Sequence, residues 1–186
     1  SIKTVALAGT KKIKEKESAA EVLWSQKEIE EQALVSRYII EAFKRIRLRE
    51  YKDMGPQTVQ AGDLWHLKTE FEISRADIEN EDIEQGLIDL LHPTAAVCGF
   101  PKSAAMEYIM LNEGYNREFY SGYLGPVKFE GKTSVFVNLR CAKVDLSHHT
   151  VSLFAGAGVI KGSTAEKETE ETYNKMLTAG RFFGLK

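Results

Sequence analysis

Between Phe154 and Lys175 the chain reads FAGAGVIKGSTAEKETEETYNK, a small-residue turn running into a segment dense in glutamate. Glycine-rich turns at helix starts gather backbone N–H groups and the positive end of the helix dipole, which suits an anion. The acids beside it, Glu166, Glu168, Glu170 and Glu171, suit a cation instead. On a helical wheel Ala165, Thr172, Met176, Ala179 and Phe183 share an apolar face. Glu168, Glu171 and Lys175 line one edge of it, while Glu166, Lys167, Glu170 and Asn174 point away. Two chemistries fit. The segment is a solvated charged helix with a Glu171–Lys175 pair, or Glu168 and Glu171 approach one divalent cation while Lys175 meets an anion. Magnesium suits the second, being held by one or two carboxylates plus water and substrate oxygens. A cation between the acids and an anionic substrate would make cradle and acids compatible.

The elements that must carry these groups follow from periodicity. Residues 4–8 are predicted to form a strand ending at Gly9-Thr10, and the lysine-rich KKIKEKES after it to be exposed and mobile. From Glu21 to Arg49 the apolar positions Leu23, Ile29, Ala33, Leu34, Tyr38, Ile40, Phe43 and Ile46 recur near helical spacing, and MGPQT breaks the helix. In DLWHLKTEFEI, Trp65, Leu67, Thr69, Phe71 and Ile73 alternate with His66, Lys68, Glu70 and Glu72, as in a strand with one buried face. A helix over 81–90 stops at His92-Pro93, and Pro101 opens another running to Asn112. Strands over 119–128, 134–144 and 150–157 predict an antiparallel meander, with turns at Gly131 and Ser147-His148-His149. A last helix over 165–179 starts at a capping box, Ser163-x-x-Glu166. Strands and helices segregated in this way predict an α+β fold.

Composition excludes several classes. A chain of 186 residues fits one domain with an ordinary core. With 25 basic and 27 acidic residues there is no broad footprint for nucleic acid. No apolar run approaches the ~18 residues of a membrane span, and SIKTVALAGT lacks the regions of a signal peptide. Cys98 and Cys141, without a CxxC spacing, fit reduced thiols in a cytoplasmic protein.

Five stretches in order, LHPTAAVCGFPKSAAMEYI, NREFYSGYLGPV, VFVNLRCAKV, FAGAGVIKGS and ETEETYNK, closely resemble the C-terminal half of chorismate-utilising enzymes. That family includes isochorismate, anthranilate, aminodeoxychorismate and salicylate synthases, and the resemblance runs from ALAGT almost to the end. It implies antiparallel β-sheets packed with outer helices, as in aminodeoxychorismate synthase, with chorismate and Mg2+ in a cleft. Carried over by motif, Glu168 and Glu171 would meet the metal and Lys175 a substrate carboxylate. Gly156, Ala157 and Gly158 would cradle a carboxylate through their backbone, and Arg140 would clamp the enolpyruvyl carboxylate. A planar guanidinium suits that task because it grips both oxygens. The resemblance also implies substrate contacts for Tyr120, Thr10 and His66. On spacing alone His66 reads as an ordinary polar-face strand residue. A third metal carboxylate would be Glu31, followed by Gln32 where the family usually has histidine. Glu31 shares a stripe with Val35, Tyr38 and Ala42, which would direct it inward, although without the resemblance solvation near a helix start is the favoured account of it.

Ala96, in AAVCGFPK, stands where anthranilate synthases carry threonine, and this matches isochorismate synthases. The implied reaction adds water to chorismate with loss of the ring hydroxyl; isochorismate would feed menaquinone, siderophore or salicylate synthesis. The family's general base lysine and general acid glutamate lie in its N-terminal half, and no stretch here resembles the lysine motif. Residues 1–186 are therefore expected to be the C-terminal portion of one chorismate-binding domain, inactive alone, in a parent isochorismate synthase. A non-catalytic dicarboxylate-binding module is the rival of another class. The missing half of the cleft should leave apolar surface exposed and drive self-association.

Overall fold

Strands and helices follow one another in the computed structural model as β1 (Ile2–Lys12), α1 (Gln26–Arg45), β2 (Lys52–Ala61), β3 (Leu64–Ile73), α2 (Ile83–Leu91) and α3 (Lys102–Asn112). They continue as β4 (Tyr123–Leu124), β5 (Phe136–Val137), β6 (Cys141–Asp145), β7 (Thr150–Phe154) and α4 (Ala165–Gly180). The structure describes residues 1–15, 17–62, 64–74 and 83–185. Contacts divide the chain into two units, Ser1–Ala105 and Met106–Lys186. The architecture is α+β with antiparallel pairing throughout, as expected.

In the first unit the sheet order is β1-β3-β2. The alternation of β3 is realised residue for residue, with Trp65, Leu67, Thr69, Phe71 and Ile73 buried. Phe43 of α1 and Phe71 of β3 are fully enclosed and meet edge to face, their ring centroids 5.8 Å apart. Ala6, Ile39, Leu48, Ile73, Ile83 and Leu87 complete the core around them.

Three expectations change here. The helix over 21–49 shortens to α1, and its buried face runs through Gln32, Tyr38, Ile39, Ala42 and Phe43. Leu23, Ile29, Ala33 and Leu34 are exposed, because the phase is set by the core contacts of the C-terminal half and by a buried glutamine. MGPQT does not end the helix, which already stops at Arg45; it lies inside β2 as an irregularity in register between Met54 and Gln57. Gly55 there takes φ +143, and a Cβ would strike the Lys68 carbonyl at 2.6 Å. The lysine-rich segment is partly anchored: Lys11 and Lys12 extend β1, and Glu17 Oε2 accepts from Trp65 Nε1 at 3.1 Å. The front of the helix over 81–90 lies outside the described residues.

In the second unit the predicted meander is instead two separate hairpins, β4–β5 and β6–β7. The long strand over 134–144 breaks at Asn138–Arg140, where Arg140 takes φ +49. Arg140 therefore sits in a bend before β6 and not within a strand. Helix α4 begins one residue after Thr164, its N-cap, and Ser163 Oγ accepts from the Ile160 N–H at 3.1 Å. The loop has claimed the hydroxyl expected to cap the helix. A capping box occurs instead at α1, where the Ser25 N–H donates to Glu28 Oε2 at 2.6 Å.

Candidate functional site

In the first unit the β1–β3 register sets Thr10 opposite His66. A register irregularity falls between Ala8 and Thr10, where Gly9 takes φ +69, a conformation that favours glycine. The start of α1 also presses here, since a Cβ on Gly9 would lie 3.2 Å from Glu28 Cβ. His66 Nδ1 is 3.1 Å from the Gly9 carbonyl and 3.3 Å from Thr10 Oγ1. A carbonyl only accepts, so the shorter contact is satisfied by the tautomer protonated on Nδ1. Glu31 is half-buried on α1, 3.8 Å from Lys27 Nζ.

Ala96 is exposed on a turn closed by the Val97 and Cys98 N–H groups, both donating to the Thr94 carbonyl at 3.0 Å. Two side chains fix the approach to that turn. Tyr38 Oη lies within 3.2 Å of the carbonyls of Leu90, Leu91 and Pro93. Lys102 Nζ donates to the carbonyls of Leu90 and His92. This ammonium caps the negative end of α2, and burial lowers its pKa despite an opposing contribution from Cys98.

In the second unit four of the candidate residues, Tyr120, Gly156, Lys175 and Glu171, form a connected series. Tyr120 is 9% exposed and stacks on Phe154, centroids 5.6 Å apart and planes at 25°. The Arg117 guanidinium sits 5.7 Å from the centroid of the Tyr120 ring and is itself held by Glu113 at 2.6 Å. Burial pushes the Tyr120 phenol up, with Arg117 opposing. Beyond the hydroxyl lies Gly156, where a Cβ would come within 2.9 Å of Tyr120 Oη. The Gly156 carbonyl accepts from Lys175 Nζ at 3.1 Å, and Lys175 pairs with Glu171 at 2.7 Å. Glu168, one turn earlier on α4, has Oε2 closed off from solvent. Ala157 is half-buried and Gly158 exposed in the irregular stretch between β7 and α4. Arg140 is half-buried and makes no hydrogen bond or ion pair among the described residues.

A family profile described as chorismate binding enzyme matches residues 1–181 of this chain. The chain belongs to the chorismate-binding enzymes. Among relatives of this family, it is 34% identical to isochorismate synthase EntC of Escherichia coli K12, over 98% of this chain and 46% of EntC. It is 33% identical to isochorismate synthase DhbC of Bacillus subtilis, over 93% of this chain and 42% of DhbC. The crystal structure of DhbC from Bacillus anthracis superposes with a TM-score of 0.78 at 32% identity, over 99% of this chain and 50% of that one. The chain thus spans about half the length of the relatives it matches.

In this member of the family the donor chemistry of α4 suits a hard divalent cation, with Glu168 and Glu171 one helical turn apart. Among the described residues no group of three or more His, Cys, Asp or Glu side chains is gathered as a ready cage. Glu31 belongs to the first unit, Glu168 and Glu171 to the second. Sequence reasoning missed the residues that hold the site residues in place: Tyr38, Lys102, Arg117 and Phe154. Only Phe154 carried a signal, as the last residue of a strand leading into AGAG.

Proposed function

We propose that this chain is the metal- and substrate-holding portion of a Mg2+-dependent isochorismate synthase that isomerises chorismate. The observation that carries the reading is the series Tyr120–Gly156–Lys175–Glu171 in a chain similar to isochorismate synthases along nearly its whole length. Chorismate is a dicarboxylate, and the groups assigned to it are those that recognise carboxylates. Arg140 offers an uncommitted, half-buried guanidinium. Lys175 brings its ammonium to the Gly156 carbonyl within the AGAG turn, where Gly156 keeps the backbone open to Tyr120. Thr10 and His66 offer a hydroxyl and an imidazole to the ring's polar groups. Glu168 and Glu171 would hold the Mg2+, which when bound would neutralise a carboxylate of the substrate. Ala96 puts a methyl where a hydroxyl would steer another nucleophile, which favours water.

Product analysis tests this reading. The full-length parent, given chorismate and magnesium, is expected to yield isochorismate whether or not ammonium is present. The isolated 186 residues are expected to bind chorismate without turnover. Anthranilate or aminodeoxychorismate from the parent would overturn the assignment of water as nucleophile, and salicylate would indicate an added pyruvate elimination.

A further inference from the structure

We propose that Gln32 is a positioning residue whose side-chain amide fixes β1 immediately ahead of the Gly9 irregularity and thereby sets the His66–Thr10 pair. The proposal rests on the reading of Thr10 and His66 as substrate-facing.

Gln32 is 2% exposed, in the first half of a helix whose apolar residues Ile29, Ala33 and Leu34 are exposed. It lies on the same buried face of α1 as Ile39 and Phe43, so a polar amide occupies a position where an apolar side chain would be ordinary. Nε2 donates to the Ala6 carbonyl at 3.1 Å and to Thr69 Oγ1 at 3.0 Å, and Oε1 accepts from the Ala8 N–H at 2.9 Å. Both amide protons and one oxygen lone pair are thus in use.

Ala6 and Ala8 are two positions apart, so their backbone groups lie on one edge of the strand. A single carboxamide bridges a carbonyl and an N–H there, as the peptide group of a neighbouring strand would. No other common side chain of this length supplies both. Glutamate lacks the donors, methionine lacks everything, and asparagine is one methylene short.

The next residue after Ala8 is Gly9, where the register shifts and the backbone turns to φ +69. Its carbonyl meets His66 Nδ1, and Thr10 follows. Thr69, the third anchor of the amide, is on β3 three residues beyond His66. Gln32 therefore clamps both strands on the side of the irregularity where pairing is regular. The irregular turn is left with one way to present its carbonyl.

The test reads the His66 imidazole directly. Long-range nitrogen-15 spectra of the unmodified chain are expected to show His66 locked as the Nδ1-protonated tautomer. Exposed His149 should show the averaged pattern of a free imidazole. In Gln32→Met, an isostere without hydrogen-bonding groups, the His66 nitrogens are expected to move to the averaged pattern while far-ultraviolet circular dichroism is retained. A folded Gln32→Met chain with unchanged His66 shifts would overturn the proposal.

A second measurement needs no variant. The Ala8 amide of the unmodified chain should resist hydrogen exchange as strongly as the paired amides of β3, and fast exchange would overturn the proposal equally. Chorismate titrated into the unmodified chain tests the underlying reading separately. Failure to bind would remove Thr10 and His66 from the substrate site, whereas the spectra would still report whether Gln32 sets their geometry.

Discussion

At the scale of single residues, the steric constraint that bears on the candidate site is the space between Tyr120 and Gly156. A methyl on Gly156 would lie 2.9 Å from a hydroxyl whose ring is stacked on Phe154 and cannot swing aside cheaply. Gly156 has no left-handed backbone, so Gly156→Ala adds bulk without backbone strain. The variant is expected to fold normally yet to weaken chorismate binding about tenfold, measured by calorimetric titration beside near-ultraviolet circular dichroism of the tyrosines. Unchanged affinity with an unchanged tyrosine signal would separate Gly156 from the substrate site.

His92 supplies a pH-dependent counterpart. Burial, and then Lys102, push its pKa below the ordinary 6.5, so the folded chain favours the neutral ring. The stabilisation is complete above pH 6.5 and is lost as pH falls from there through the lowered folded value. Thermal midpoints measured across that window are expected to fall for the unmodified chain and to fall less for His92→Gln. Parallel curves would remove His92 as the cause.

At the scale of elements, β3 was legible because a period of two with one buried face has a single reading, and every residue predicted to be inside is inside. Helix α1 was legible in existence but not in phase. A buried glutamine and exposed Ile29 and Leu34 invert the usual rule at its start, and only the backbone of β1 explains why. The break before Arg140 and the loop's use of Ser163 were likewise invisible, since each depends on a neighbouring segment. The site motifs could be recognised in order, but their supports could not. Tyr38 and Lys102 reach carbonyls of residues 90–93, and no spacing rule announces such contacts.

The element whose energetics are clearest is the α1–β3 interface. Phe43 is fully buried with its ring 5.0 Å from Tyr51 and 5.8 Å from Phe71. Phe43→Ala is expected to cost about 3–5 kcal/mol in urea-induced unfolding, from lost burial plus the cavity left among aromatic neighbours. A loss below about 1 kcal/mol would mean that this interface does not carry the first unit.

At the scale of the whole molecule, the distribution of apolar surface is uneven. The first unit encloses a contiguous core, whereas the second presents Phe119 at 82%, Val127 at 70%, Phe129 at 65% and Phe136 at 64% exposure. Three of these four, Val127, Phe129 and Phe136, belong to β4–β5 and the loop joining them. Exposed apolar surface, where it is contiguous, marks a contact surface or drives association. The exposed apolar residues of this hairpin are expected to make the chain self-associate at micromolar concentration. Lysines at Val127 and Phe129 would each replace apolar contact by a charge that must stay hydrated. Together they should weaken the association at least about tenfold in sedimentation velocity, since ~1.4 kcal/mol suffices for that factor. Neither position has been assigned to substrate or metal, so chorismate binding should survive the double substitution. A chain that is monomeric before the substitution would show that this surface is tolerated in water. An oligomer indifferent to the substitution would place the contact elsewhere.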